Sequence, residues 1–266
     1  MNIHAKRFKL ILEFDGSRYS GWQQQEDAKT IQGNLRKAAT ALFGGEVDVQ
    51  GSGRTDAGVH GLRFAAHLEA HTDLSPLAIG QKLNGLLPHD ISILDCRRAG
   101  PRFHARHHCI GRSYCYQIAR RKTALGRDFV WPVAEPLDVA RMQEAVSVLI
   151  GMHDFTSFTD RQVVKKKSPL VMINQCQVVV SGNLILLRIV GSHFLWKMVR
   201  RIVGVLVEVG KGKLGSKDIE QFLQAPVVLQ HYTAPAQGLF FEQAFYDQEE
   251  LETFLRAEEL QPALFR

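Results

Sequence analysis

Val47-Asp48-Val49-Gln50-Gly51-Ser52-Gly53-Arg54-Thr55-Asp56-Ala57-Gly58-Val59-His60-Gly61-Leu62-Arg63-Phe64-Ala65-Ala66-His67-Leu68-Glu69-Ala70 decides how this chain folds. Val47 to Gln50 alternates apolar and polar side chains, the period-two mark of a half-buried strand, and Leu62 to Ala70 returns as another. The eleven residues between them then form a loop joining neighbouring strands. Four of the eleven are glycines, which marks backbone that turns tightly or lets another group come close. Among them stand Arg54, Thr55 and Asp56, a cation, a hydroxyl and a carboxylate without apolar cover. A plain connector has no need of that set, and Asp56 reads as a reacting group presented on a shaped loop. The rival reading is an Asx-turn residue that merely holds the loop.

Outward from this loop the elements alternate. Phe8 to Phe14 is a short apolar strand, ended by the turn Asp15-Gly16-Ser17. Thr30 caps a helix over Ile31 to Phe43, with Ile31, Leu35, Ala38, Ala39 and Leu42 on one stripe and Gly44-Gly45 at its end. Ser75-Pro76 opens a second helix to about Leu87, and Ile91 to Arg98 is a strand. The second half repeats the order. Arg112 to Arg120 alternates as a strand, and Leu137-Asp138 opens a helix to Ile150. Gln175 to Val180 and Leu184 to Val190 pair around Ser181-Gly182-Asn183. His193 to Val209 is predicted as one long helix, Ser216 to Gln224 as a short one and Leu239 to Tyr246 as the last strand. Strand-helix-strand-strand-helix-strand, twice, predicts an α+β fold of two halves that place their sheets together with helices on one face. The halves are expected at 1–106 and 107–266, with Gly100 to Gly111 as the crossing.

The composition is that of a folded protein. Of 266 residues 45% are apolar and 9% aromatic, and 33 Lys+Arg against 27 Asp+Glu leave a net charge of +6. That excess tilts the expectation towards a polyanionic partner. Cys96, Cys109, Cys115 and Cys176 show no C-x-x-C spacing, which argues against a zinc ribbon or a redox pair and fits reduced thiols of a cytoplasmic protein. The start lacks the apolar run of a signal peptide, and no stretch has the length of a membrane span.

Other motifs fail on their chemistry. A dinucleotide fingerprint anchored at Gly51 and Gly53 would need glycine where Asp56 stands, and a carboxylate there repels a pyrophosphate. Gly210-Lys211-Gly212-Lys213 lacks the rest of a phosphate loop. No G-x-S-x-G occurs, so a nucleophile elbow has no support. His104, His107, His108 and Cys109 sit close in sequence, but interleaved Arg102, Arg106 and Arg112 disfavour a metal cation. Those six basic side chains suit a phosphate backbone, or simply a solvated connector. Arg161 to Pro169, with Lys165-Lys166-Lys167, reads as an exposed basic loop. What remains is covalent or acid/base work by one aspartate on a large anionic substrate, with Arg54 and Arg200 as the cations available to keep it ionised.

Six segments, in this order, resemble the TruA family of tRNA pseudouridine synthases over nearly the whole chain. They are Glu13 to Gln25 (EFDGSRYSGWQQQ), the loop Gly51 to Gly61, Phe103-His104-Ala105-Arg106, Arg112 to Tyr116 (RSYCY), Phe194 to Gly204 (FLWKMVRRIVG) and Gly238-Leu239-Phe240. The resemblance implies two ferredoxin-like α+β halves whose antiparallel sheets join into one extended sheet, helices on one face, and an active-site cleft between the halves. It implies isomerisation of uridine to pseudouridine at positions 38, 39 and 40 of the tRNA anticodon stem-loop. The glycosidic bond breaks, the base turns and is rejoined through carbon, with no cofactor and no metal. Asp56 falls on the catalytic aspartate, which attacks either the ribose or the base, and Arg200 on the basic residue paired with it. Tyr114 falls on the aromatic that packs against the target base, Arg54 on the arginine that fills the gap left by the flipped nucleotide. Thr55, Arg106 and Arg112 complete the expected substrate-binding set. A cytoplasmic homodimer with tRNA as partner and no membrane association is implied as well. In isolation Tyr114 reads as a core aromatic and Arg200 as a buried structural cation; a catalytically silent RNA-binding protein is the alternative function. Lys165 to Lys167 and Trp196-Lys197 depart from the family pattern.

Overall fold

The computed structural model describes residues 5–45, 47–164, 168–256 and 260–263. The triple lysine 165–167 lies outside them. The protein is α+β, and its chain forms two compact units, one of residues 1–109 with 241–246 and one of 110–240 with 247–266.

The first unit runs β1 (Lys6–Phe14), α1 (Ile31–Phe43), β2 (Asp48–Gly51), β3 (His60–Ala70), α2 (Pro76–Leu86) and β4 (Ile91–Arg98). β1 lies antiparallel to both β3 and β4, with Leu10 opposite Ala66 on one side and Cys96 on the other. β2 pairs antiparallel with β3, Asp48 opposite Glu69 and Gly51 opposite Ala66. The alternation of β1 buries Phe8, Leu10, Leu12 and Phe14 on one face. Against them α1 turns Ile31, Leu35, Ala38 and Ala39, and α2 contributes Ile79 and Leu83. Each of these large side chains contributes roughly 1.5–3 kcal/mol on leaving water. Both helices begin as their sequences predict: Thr30 and Ser75 side chains accept from Gly33 N and Ala78 N, and Gly44 closes α1 in the left-handed region.

The second unit carries β5 (Gly111–Ala119), β6 (Trp131–Pro132), α3 (Val139–Val146), β7 (Gly151–Asp154), α4 (Arg161–Val164), β8 (Leu170–Ser181), β9 (Leu184–Gly191), α5 (Met198–Gly210) and α6 (Ser216–Gln224). β10 (Leu239–Phe245) then gives its residues from Phe241 onward to the first unit, and α7 (Gln248–Arg256) belongs to the second. The strand order is β5-β9-β8-β7, with β6 beside β5. β8 and β9 form the expected hairpin, and Gly182 takes a φ of 57° at its turn. Every residue of β5 is buried, as are most of α5.

Two expectations are corrected here. The helix predicted over His193 to Val209 begins only at Met198. Lys197 takes a φ of 60°, which no helical turn accommodates, so His193 to Lys197 form a turn after β9. The helix predicted to Ile150 ends at Val146 and tightens into a 3₁₀ turn over Ser147–Leu149.

Candidate active site

The loop 52–59 between β2 and β3 rests on the segment after β1, and glycines make that contact possible. A Cβ on Gly16 would lie 2.0 Å from the Val59 carbonyl oxygen, and one on Gly21 2.3 Å from that of Thr55. Gly21 also has a φ of 88°, which side chains beyond glycine rarely adopt. Two backbone hydrogen bonds cross this close approach, Trp22 N donating to Thr55 O at 3.2 Å and Gly58 N to Tyr19 O at 3.2 Å, and Val59 N to Asp56 O at 3.2 Å closes a turn within the loop. Ser52 N donates to Ala65 O at 2.7 Å, so the loop is tied to β3 as well. Beneath it Trp22 packs on Phe64 with ring centroids 4.3 Å apart, and the Gly51 backbone rests against both rings.

The side chains beside the loop are fixed too. His60 Nδ1 accepts from Gly16 N at 3.1 Å, and the Asp15 carboxylate stands 3.2 Å from the same nitrogen. Asp15 also accepts from Ser17 N and Oγ. Burial pushes the Asp15 carboxyl up, but these Ser17 bonds and the nearby His60 outweigh it and hold the group below its ordinary range. Tyr19 donates its hydroxyl to Asp90 while Lys29 lies 4.4 Å over its ring; burial and the Asp90 carboxylate raise the phenol.

On this scaffold Arg54 is exposed, Asp56 half-buried and Thr55 only 8% exposed. The buried Thr55 hydroxyl has no hydrogen-bond partner among the described residues. Arg106 is half-buried in the same unit, and its N–H donates to His104 Nδ1 at 3.1 Å. That ring nitrogen also takes the His107 N–H at 3.4 Å, and His67 Nδ1 takes Ala105 N–H at 3.1 Å. These imidazoles therefore hold the backbone of the Phe103-His104-Ala105-Arg106 segment.

The second unit holds the other three predicted residues. Tyr114, 8% exposed on β5, meets the edge of Phe194 at a centroid distance of 5.0 Å and 81°. Tyr116 lies on the same face two residues on, and its hydroxyl donates to Pro235 O at 2.7 Å. Arg200, in the first turn of α5, donates from Nε to Ala234 O at 2.7 Å, and Ala234 N returns a bond to Arg200 O at 3.0 Å. Burial raises the Tyr116 phenol, and the Arg200 charge works against that rise. Arg112 is 9% exposed and donates to Ser192 O at 3.0 Å, which holds the start of β5 to the turn after β9. The Ala234-Pro235 carbonyls and Phe194 were given no role by sequence reasoning. Phe194 stood inside a matching segment, whereas nothing in the sequence marks a backbone carbonyl as an anchor.

A carboxylate on a glycine-shaped loop, two residues after the exposed Arg54 in an α+β chain, is the arrangement expected of an enzyme that modifies a large anionic substrate. The family model described as tRNA pseudouridine synthase matches residues 10–108 and 145–247. A "tRNA pseudouridine synthase A" of Zymomonas mobilis subsp. mobilis is 40% identical over 90% of this chain and 99% of its own. Proteins of the same name from Maricaulis maris (37%, 90% of this chain and 98% of that one) and Clostridium kluyveri (36%, 91% and 100%) are also similar. The chain belongs to the tRNA pseudouridine synthase family.

Proposed function

We propose that this protein isomerises uridine to pseudouridine at positions 38, 39 and 40 of the tRNA anticodon stem-loop, with Asp56 as the nucleophile. The observation that carries the reading is the Gly51–Gly61 loop, whose shape is imposed by the Gly16 and Gly21 contacts and which presents Asp56 in a chain of this family. The Asp56 carboxylate attacks the ribose or the base, the glycosidic nitrogen–carbon bond breaks and the base turns. A carbon–carbon bond then forms and the bond to Asp56 breaks, while a proton leaves the joined base carbon and the freed ring nitrogen ends protonated. Substrate and product are isomers, so the reaction consumes no co-reactant. Arg200 is the cation paired with that carboxylate in the reaction, and its own place is held by the Ala234 carbonyl. A base in a stem must leave its stack to react, at a cost of a few kcal/mol. Arg54 fills the gap that the base leaves, and Tyr114 supplies the aromatic face on which it rests. Thr55 offers its unfilled hydroxyl, while Arg106 and Arg112 bind or position the backbone of the RNA.

The protein works as a homodimer in the cytoplasm, with tRNA as its partner. Support for the compartment is that none of the four cysteines forms a disulfide. No helix among the described residues is long and apolar enough to cross a membrane.

The test is Asp56→Ala on unmodified tRNA transcript. The variant is expected to bind with the wild-type dissociation constant and to leave no pseudouridine, read as loss of carbodiimide-dependent primer-extension stops. Full activity in that variant would falsify the nucleophile. Wild-type protein that binds the transcript and never modifies it would instead favour the silent RNA-binding alternative.

A further inference from the structure

A hollow of about 400 Å³ opens in the second unit between the turn before α5 and the segment Pro226 to Gln230. Trp196, Val227 and Val228 are its apolar walls, and they are left in contact with water: Trp196 is 46% and Val228 55% exposed. The floor is Arg201, 1% exposed, whose guanidinium pairs with Asp160. Gln230 Nε2 donates to the same carboxylate at 3.3 Å. The Arg201 Nε is buried and has no acceptor among the described residues, an uncommon state for a charged donor in a folded protein.

The rim is built rather than loose. Thr159 donates its hydroxyl to the Trp196 carbonyl at 3.0 Å, and Val227 N donates to Ser157 Oγ at 2.9 Å. Lys197 is the one non-glycine residue with positive φ among the described residues. That conformation costs energy, and such strain gathers at ligand sites. Here it brings Trp196 to the rim with the Lys197 ammonium 4.1 Å from the indole. The same ammonium, after Arg201 and Gln230, helps hold the Asp160 carboxyl below its ordinary range against the push of burial.

These features select one ligand chemistry. The volume suits a small ligand. An exposed indole is a stacking platform for any base, and the Lys197 cation at the rim suits a phosphate. Carboxylate, amide and guanidinium at the floor suit the polar edge of a heterocycle. We propose that this hollow binds an unpaired nucleotide, its base between Trp196 and Val227-Val228 and its phosphate towards Lys197. None of the residues assigned above to the reacting uridine lines it. The inference rests on the reading that the substrate is RNA, which makes a bulged or looped nucleotide of that RNA the occupant; a free mononucleotide has the same chemistry.

Binding of unmodified tRNA transcript and of GMP is measured by tryptophan fluorescence and by filter retention, with no turnover in the readout. Wild type, Trp196→Ala, Trp196→Phe and Val228→Glu are compared, all at exposed positions that the fold tolerates. Losing one stacked base is expected to weaken tRNA binding by about fivefold or more in Trp196→Ala. Val228→Glu should weaken it similarly through repulsion, and Trp196→Phe should keep most of the affinity. Quenching seen in wild type and lost in Trp196→Phe, which leaves only Trp22 and Trp131 to fluoresce, places the nucleotide in the RNA when tRNA alone produces it; the same difference with GMP shows that free nucleotide enters. Unchanged tRNA affinity in both Trp196→Ala and Val228→Glu, with no quenching by either probe, overturns the proposal. Failure of wild type to make pseudouridine would overturn the function proposed above and leave these binding readouts standing.

Discussion

Single residues in this protein are held by backbone as much as by side chains, and Gly21 shows it best. Its φ of 88° and its 2.3 Å clearance to Thr55 O leave no room for a methyl group. Gly21→Ala should therefore destabilise the protein by about 2–3 kcal/mol and slow pseudouridine formation, because the peptide that must give way is the one before Asp56. A urea midpoint and a single-turnover rate at the wild-type value would contradict this. His67 makes a second prediction. Burial, then the neighbouring His104 and Arg7 charges, depress its pKa from 6.5 to about 4. The unfolded chain thus binds a proton that the folded one refuses. This contribution to stability is complete above about pH 6.5 and is lost as pH falls towards 4, amounting to at most about 3 kcal/mol. Denaturation at pH 7 and pH 5 should show a flatter pH dependence in His67→Gln than in wild type, and parallel slopes would rule the mechanism out.

At the scale of elements, α5 is the clearest case of a helix that sacrifices propensity for a contact. Gly204 in its interior costs about 1 kcal/mol relative to alanine, yet a Cβ there would lie 1.5 Å from the Tyr232 carbonyl oxygen. The turn so admitted carries Ala234, which holds Arg200. Gly204→Ala is expected to lower stability by about 1–3 kcal/mol and to cut activity by displacing that anchor; a higher melting temperature with full activity would show the approach to be unimportant. α1 was readable because its signals are local: Thr30 at one end, Gly44 at the other and one apolar stripe between. The start of α5 was not. Phe194 and Leu195 look like a continuation of its apolar pattern, but Lys197 is left-handed, and a single φ leaves no trace in periodicity. β7 was missed because four residues at an edge, Gly151–Asp154, show too little alternation to stand out.

For the molecule as a whole, the net charge of +6 makes a statement about its substrate. Binding of tRNA should weaken with salt, each phosphate contact adding a slope of about −0.9 on duplex and about −0.7 on single strands. Arg54 is exposed on the loop and is expected to account for nearly one such contact. Arg54→Ala should weaken binding and reduce the magnitude of the salt slope by about 0.7–0.9; an unchanged slope would remove Arg54 from the RNA backbone.

Local order was legible without coordinates: the strands on either side of Gly51–Gly61 and the capped helices, since caps, periods and turns are properties of neighbouring residues. Burial is a property of partners far along the chain, and only the folded molecule decides it. Arg200 and Arg201 are adjacent and chemically alike, yet about 100° apart on a helix. One is half-buried against Ala234 and the other is sealed beneath a pocket with Asp160. Likewise residues 241–246 join a unit that otherwise ends at 109, a union that no window of sequence can contain.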